Sequence, residues 1–120
     1  MESGASMGKR LARYPFVAMV KATDLASGTH LNGITTDLSG GGCCVVTREP
    51  FSRGIQILLE ITKKGISFVT RATVAYSLPG QAMGLAFQEI APNQMSILGD
   101  WLNDVIPTMR RNPKGEQSSS

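Results

Sequence analysis

The sequence predicts a small all-β domain, a barrel or a sandwich, closed by one helix near its C-terminal end. Three observations carry this. Six or seven short stretches rich in Val, Ile, Thr and Phe alternate, or nearly alternate, between apolar and polar residues. Turn residues separate them at intervals of about 8–12 residues, as in antiparallel all-β folds. Apolar residues recur at helical spacing only after residue 91. At 120 residues the chain holds one core of ordinary size and no second.

The first strand is expected over Phe16 to Thr23, where Phe16, Ala18, Val20 and Ala22 share one face opposite Val17, Met19 and Lys21. Ser27-Gly28 turns the chain into a second strand from about Thr29 to Asp37, in which Thr35 and Thr36 favour extension. Gly40-Gly41-Gly42 interrupts it, and Cys43 to Thr47 forms a short third strand. After the turn signals Glu49-Pro50 and Arg53-Gly54, Ile55, Ile57, Leu59 and Ile61 alternate with mostly polar residues. Lys63-Lys64-Gly65 closes a hairpin into a strand from Ile66 through Tyr76. Leu78-Pro79-Gly80-Gln81 turns the chain again, and Met83 to Phe87 is the last strand. Met95, Leu98, Trp101, Leu102 and Val105 then line one helical face, with Trp101 placed to plug an open barrel end. Pro107 stops the helix. The domain is expected over residues 9–106, between a flexible Ser- and Gly-containing start at 1–8 and a flexible basic, Ser-rich tail at 107–120.

Composition excludes several classes of function. No uncharged apolar run approaches the roughly 18 residues of a membrane span, and the first residues lack the basic-then-apolar order of a secretory signal. A cytoplasmic protein is expected. Cys43 and Cys44 are neighbours, so on a strand they point to opposite faces and are poorly placed to bridge. His30 is the sole histidine and follows a Gly-Thr turn with no evident partner, which leaves structural zinc and a Cys-His catalytic pair short of parts. No phosphate-loop or G-x-S-x-G motif occurs, and Asp100 and Asp104 read as a solvated helix face rather than an acid–base pair. The chain is expected to be no enzyme and to hold neither metal nor cofactor.

The net charge of +3 is unevenly spread: residues 1–21 carry +3, residues 107–120 carry +2, and the body between them carries −2. A basic arm beside a mildly acidic body suits a compact anionic ligand better than a nucleic-acid groove. Two segments stand out. Lys9-Arg10-Leu11-Ala12-Arg13 places three cations in five residues before the first strand, and Asp37-Leu38-Ser39-Gly40-Gly41-Gly42 lies at a strand end. Each has an ordinary reading when taken alone, the first as charge at a terminus and the second as a turn.

Taken in this order, between β-strands, the two segments resemble the PilZ domain family, over roughly residues 9–106. Its members carry R-x-x-x-R followed by [DN]-x-S-x-x-G. Asp37, Ser39 and Gly42 match the second motif. In the first, Lys9 stands at the first arginine position, Arg13 matches the second, and Arg10 supplies a guanidinium one position late. The resemblance implies a six-stranded antiparallel Greek-key β-barrel capped by one α-helix. It also implies a cyclic di-GMP receptor that signals by a change of shape to a partner protein, which the sequence does not name.

The chemistry of the ligand agrees with these residue types. Cyclic di-GMP has two phosphates and two guanines; an arginine fork fits guanine O6 and N7 or grips phosphate bidentately, which an ammonium cannot do. A carboxylate such as Asp37 accepts from guanine N1–H and N2–H. Ser39 adds a hydroxyl, and Gly42 lets a base or ribose approach the backbone closely. Tyr76, at a strand end where family members often carry an aromatic residue, is a candidate to stack on guanine. Lys9, Arg10, Arg13, Asp37, Ser39, Gly42 and Tyr76 are thus the expected ligand-binding residues. Two other readings stay open: a barrel of the same fold that acts only through protein contacts, and a single-stranded nucleic-acid-binding barrel. Against the latter stand the acidic body and only seven aromatic residues in all.

Overall fold

The computed structural model describes residues 12–106. Its elements are β1 (Tyr14–Pro15), β2 (Met19–Asp24), β3 (His30–Leu38), β4 (Gly42–Val46), β5 (Gln56–Lys63), β6 (Ile66–Leu78), β7 (Ala82–Gln88) and α1 (Pro92–Val105). Every strand pairing is antiparallel, and the order β3-β2-β5-β6-β7-β4 returns to β3 through a β3–β4 pairing. The result is a closed six-stranded barrel with one C-terminal helix. Strands β5, β6 and β7 follow one another as hairpins while β4 lies beside β7, which is the Greek-key connection. Closure leaves the sheet without long exposed edges.

The strands fall where period-two patterning and turn residues put them, within a few residues. The first one differs. Its expected start, Phe16 to Ala18, is a break that separates the two-residue β1 from β2, both paired to β3. The cause is Thr35, fully buried on β3, whose hydroxyl donates to the Phe16 carbonyl at 2.7 Å while its N–H donates to that of Ala18 at 2.9 Å. Phe16 and Ala18 are both buried, so apolar alternation persists through a stretch whose ladder is interrupted.

Inward residues fill the barrel: Val20 and Ala22 from β2, Cys43 and Val45 from β4, Ile57, Leu59 and Ile61 from β5, and Phe68, Ala72 and Val74 from β6. Met83 and Leu85 of β7 complete this core. Trp101 closes one end, its ring centroid 5.2 Å from Phe16 and 6.1 Å from Phe68. Helix α1 starts at Pro92, whose fixed φ suits the first helical position, and the Gln94 amide oxygen accepts from Val69 N–H at 2.8 Å, tying the helix to β6. It ends at Ile106, held extended at ψ 134° by the proline that follows. Leu98 and Trp101 are buried and Leu102 and Val105 pack against the core, but Met95 is 50% exposed and Ile97 takes its place.

Candidate functional site

Two β-bulges decide which side chains face outward on one wall of the barrel. Simple alternation from the inward Thr35 would leave Asp37 inward and Leu38 outward. A register shift between Thr35 and Asp37 reverses this, so that Leu38 is fully buried and Asp37 faces out. A second shift, between Val74 and Tyr76 on β6, likewise turns Tyr76 outward beyond the buried Val74. The pairings then align one residue from each of four strands: Tyr76 opposite Gly84, Gly84 opposite Cys44, and Cys44 opposite Asp37. Directly opposed residues share a sheet face, so these four form one outward row.

Arg13 stands at one end of that row. The two-residue β1 pairs Pro15 with Asp37, which brings the preceding residues over β3, and Arg13 Nη1 donates to Asp37 Oδ1 at 2.6 Å. The side chains are 47% and 29% exposed, so the pair is accessible to a solute. At the other end Tyr76 is 40% exposed, and its ring lies across Gly84 so closely that a Cβ there would overlap the ring carbons. The Tyr76 hydroxyl reaches Cys44; this hydrogen bond, with a smaller contribution from burial, holds the phenol above its ordinary titration range. Burial pushes the inward neighbour Cys43 up as well, with the Asp37 charge adding to it. A cleft of about 190 Å3 opens between Arg13, Tyr76 and the Ser39–Gly42 loop.

That loop is built from the D-x-S-x-x-G residues themselves. Ser39 is 4% exposed; its Oγ accepts from the N–H groups of Gly41 and Gly42, each at 3.1 Å, and donates to the Gly42 carbonyl at 3.2 Å. The hydroxyl expected to reach a ligand is thus engaged inside the loop. Gly42 is also constrained by the fold itself. A Cβ on Gly42 would overlap the Leu85 carbonyl oxygen of β7, so glycine is required there by strand pairing before any ligand arrives. Lys9 and Arg10 lie outside the described residues. Arg13, Ser39, Gly42 and Tyr76 line one cleft, and Asp37 joins them through its ion pair with Arg13. Sequence reasoning missed Cys44 and Gly84 as members of the site. The signal for Gly84 was a glycine inside a strand, which marks a close approach.

A larger groove of about 460 Å3 lies elsewhere, under α1, and contains none of these residues. Phe16, Trp101 and Ile97 give it an apolar floor, and Lys63 on its wall is already committed to the Val17 carbonyl at 2.6 Å. Asp100 and Asp104 stand exposed on its rim, as the solvated face they were expected to be. Its floor is apolar, with Lys63, Lys64, Asp100 and Asp104 around it. Among the described residues no group of His, Cys, Asp and Glu could hold a metal, and no helix is long and apolar enough to cross a membrane.

Comparison with known proteins places this architecture. The PilZ domain model matches residues 9–104. The chain belongs to the PilZ family. PilZ domains are non-catalytic cyclic di-GMP receptors, not enzymes. Among solved structures, the PilZ domain of Escherichia coli YcgR with c-di-GMP is 17% identical, covers 85% of this chain and 94% of its own, and superposes with a TM-score of 0.66. Bacillus subtilis inhibitor of motility MotI/DgrA is 21% identical over 79% of this chain, with a TM-score of 0.64. The K. pneumonia MrkH–c-di-GMP complex is 16% identical over 79%, with a TM-score of 0.63. The chain spans about half the length of these last two, at 49% and 50%. At such identities the likeness is one of PilZ fold. No curated protein matches.

Proposed function

We propose that this PilZ chain is a cyclic di-GMP receptor whose binding unit is residues 9–106 and whose ligand sits between the Lys9–Arg13 segment and the outward row of the barrel. The observation that carries the reading is one cleft lined by both Tyr76 and Arg13, the latter paired with Asp37. A forked cation, a carboxylate acceptor and an aromatic face are the three groups that a guanine nucleotide with phosphates needs. Arg13 grips phosphate or the O6/N7 edge, Asp37 accepts from N1–H and N2–H, and Tyr76 stacks on a base. Lys9 and Arg10 add cations from the preceding segment. Ser39 and Gly42 act one step back: they fix the loop and the strand pairing that hold Asp37 and the cleft floor in place. The YcgR and MrkH structures, both with c-di-GMP, support the ligand assignment at the level of fold. Signalling in this reading is cytoplasmic and proceeds through a partner protein that recognises the loaded surface.

Calorimetric titration with cyclic di-GMP, beside GMP and a short single-stranded oligonucleotide, tests this reading. Saturable binding of the cyclic dinucleotide alone is expected, at two molecules per chain, since Arg10 and Arg13 both offer forks for a stacked pair. A ratio of one would remove the stacked pair and keep the receptor. Binding of the oligonucleotide alone would make the chain a nucleic-acid-binding barrel. Binding of none of them would leave a PilZ fold that acts through protein contacts.

A further inference from the structure

We infer that Gly84 and Cys44 are positioning residues that lay the Tyr76 ring flat against the barrel wall as a stacking platform for a purine face. The inference rests on the receptor reading above and deepens it. Stacking needs a ring face turned to the ligand, and an exposed tyrosine on a strand is ordinarily free to turn about its χ angles. Three features of the row remove that freedom. The bulge between Val74 and Tyr76 turns the side chain outward and sets it opposite Gly84. Gly84 offers no side chain, so the ring lies down over β7; any Cβ would lift it off the sheet. Cys44, the next residue along the row, holds the hydroxyl at the far end.

One ring face is thereby spent on the backbone of β7. The other is left toward the cleft that Arg13, held by Asp37, lines, and 40% of the residue remains accessible. A base that stacks there has its edge directed along the row toward the forked cation and the carboxylate. Cys44 lies between them in the row, opposite Gly84 on one side and Asp37 on the other, so it spaces the platform from the charged pair. The row therefore assigns a role to each member: platform, support, anchor and edge reader.

The test uses the full chain and cyclic di-GMP, with calorimetry for affinity, thermal melting for folding and NMR titration of the Tyr76 phenol in a Tyr14→Phe background. Tyr76→Ala should weaken binding roughly fivefold to a hundredfold, the range of one base–aromatic stack. Gly84→Ala should weaken it as much, and the Gly84→Ala/Tyr76→Ala double variant should bind like Tyr76→Ala alone. That double variant, relieved of the overlap, also keeps the test valid should Gly84→Ala fold poorly. Cys44→Ala should lower the Tyr76 titration toward its ordinary value and weaken binding severalfold, whereas Cys44→Ser, which keeps a hydrogen-bonding atom, should restore both. Wild-type affinity in Gly84→Ala, or an unmoved Tyr76 titration and affinity in Cys44→Ala, would overturn the positioning role while wild-type binding still stood. Absence of binding by the wild type would instead remove the receptor reading on which the role depends.

Discussion

Removing either partner of the Arg13–Asp37 pair is expected to separate affinity from stability. The two side chains are 47% and 29% exposed, and exposed ion pairs contribute only about 0.2–1 kcal/mol. Neither residue packs into the core. For a domain of this size 1 kcal/mol moves Tm by about 4–8 °C, so Arg13→Ala and Asp37→Ala should each lower Tm by less than roughly 8 °C. Binding should respond more steeply. A bidentate or charge-assisted contact to a base edge or phosphate contributes about 1–3 kcal/mol, or roughly fivefold to 150-fold in Kd.

The pairing adds a finer expectation. In Arg13→Ala the Asp37 carboxylate loses its cation and faces the ligand phosphates alone. Two like charges about 8 Å apart repel by about 0.5–2 kcal/mol at effective dielectrics between those of water and a protein surface. Arg13→Ala should therefore weaken cyclic di-GMP binding more than Asp37→Ala does, and adding Asp37→Ala to it should cost less than the sum of the single losses. Salt should narrow the gap, because it screens the repulsion. Calorimetry on the four proteins of the cycle at low and high salt, with a melting curve for each, is the assay. Wild-type affinity in both single variants would refute the assigned site, and a Tm loss above about 10 °C in either would refute the claim that the pair is peripheral to the fold.

Two further outcomes follow from the same barrel. Gly42→Ala should destabilise the domain by about 1–3 kcal/mol or more, because the new Cβ overlaps the Leu85 carbonyl and must part β4 from β7; a melting curve unchanged from wild type would return Gly42 to the role of a ligand-contact glycine. Alkaline stability should report Cys43, whose thiol burial pushes up in the folded state: its contribution is complete below the unfolded thiol value near about 8.5 and is lost as pH rises above it, at up to about 1.4 kcal/mol per pH unit. Denaturant melts of wild type and Cys43→Ala across that range should converge as pH rises, and parallel curves would show that the thiol does not ionise on unfolding.

Much of the fold was legible because strands, turns and the helix are written in local periods. Ile57, Leu59 and Ile61 alternate in the sequence and alternate in the barrel, and Leu98, Trp101, Leu102 and Val105 recur at helical spacing and meet the core on one face. The order of the motifs also pointed to the family. The site was less legible, because it is assembled by contacts between strands. Asp37 and Tyr76 face outward only through register shifts on β3 and β6, and a shift is set by the partner strand rather than by the residues that carry it. Arg13 and Asp37, 24 residues apart, meet because a two-residue strand too short to show any alternation docks beside β3.

The motif residues also divide by role in a way that their spacing conceals. Ser39 and Gly42 are as much part of D-x-S-x-x-G as Asp37, yet the hydroxyl of the one is committed to loop amides and the space beside the Cα of the other is taken by a neighbouring carbonyl. The motif therefore specifies a loop first and presents one outward carboxylate from it. A chain that kept Ser39 and Gly42 but lost Asp37 would keep the barrel and lose the edge reader. One that lost Gly42 would part β4 from β7 and disturb Cys44, two residues along the same strand, and with it the anchor of Tyr76. Substitutions in this one motif should accordingly fall into two classes, those that change affinity at constant Tm and those that change both, and Asp37 and Gly42 stand on opposite sides of that division.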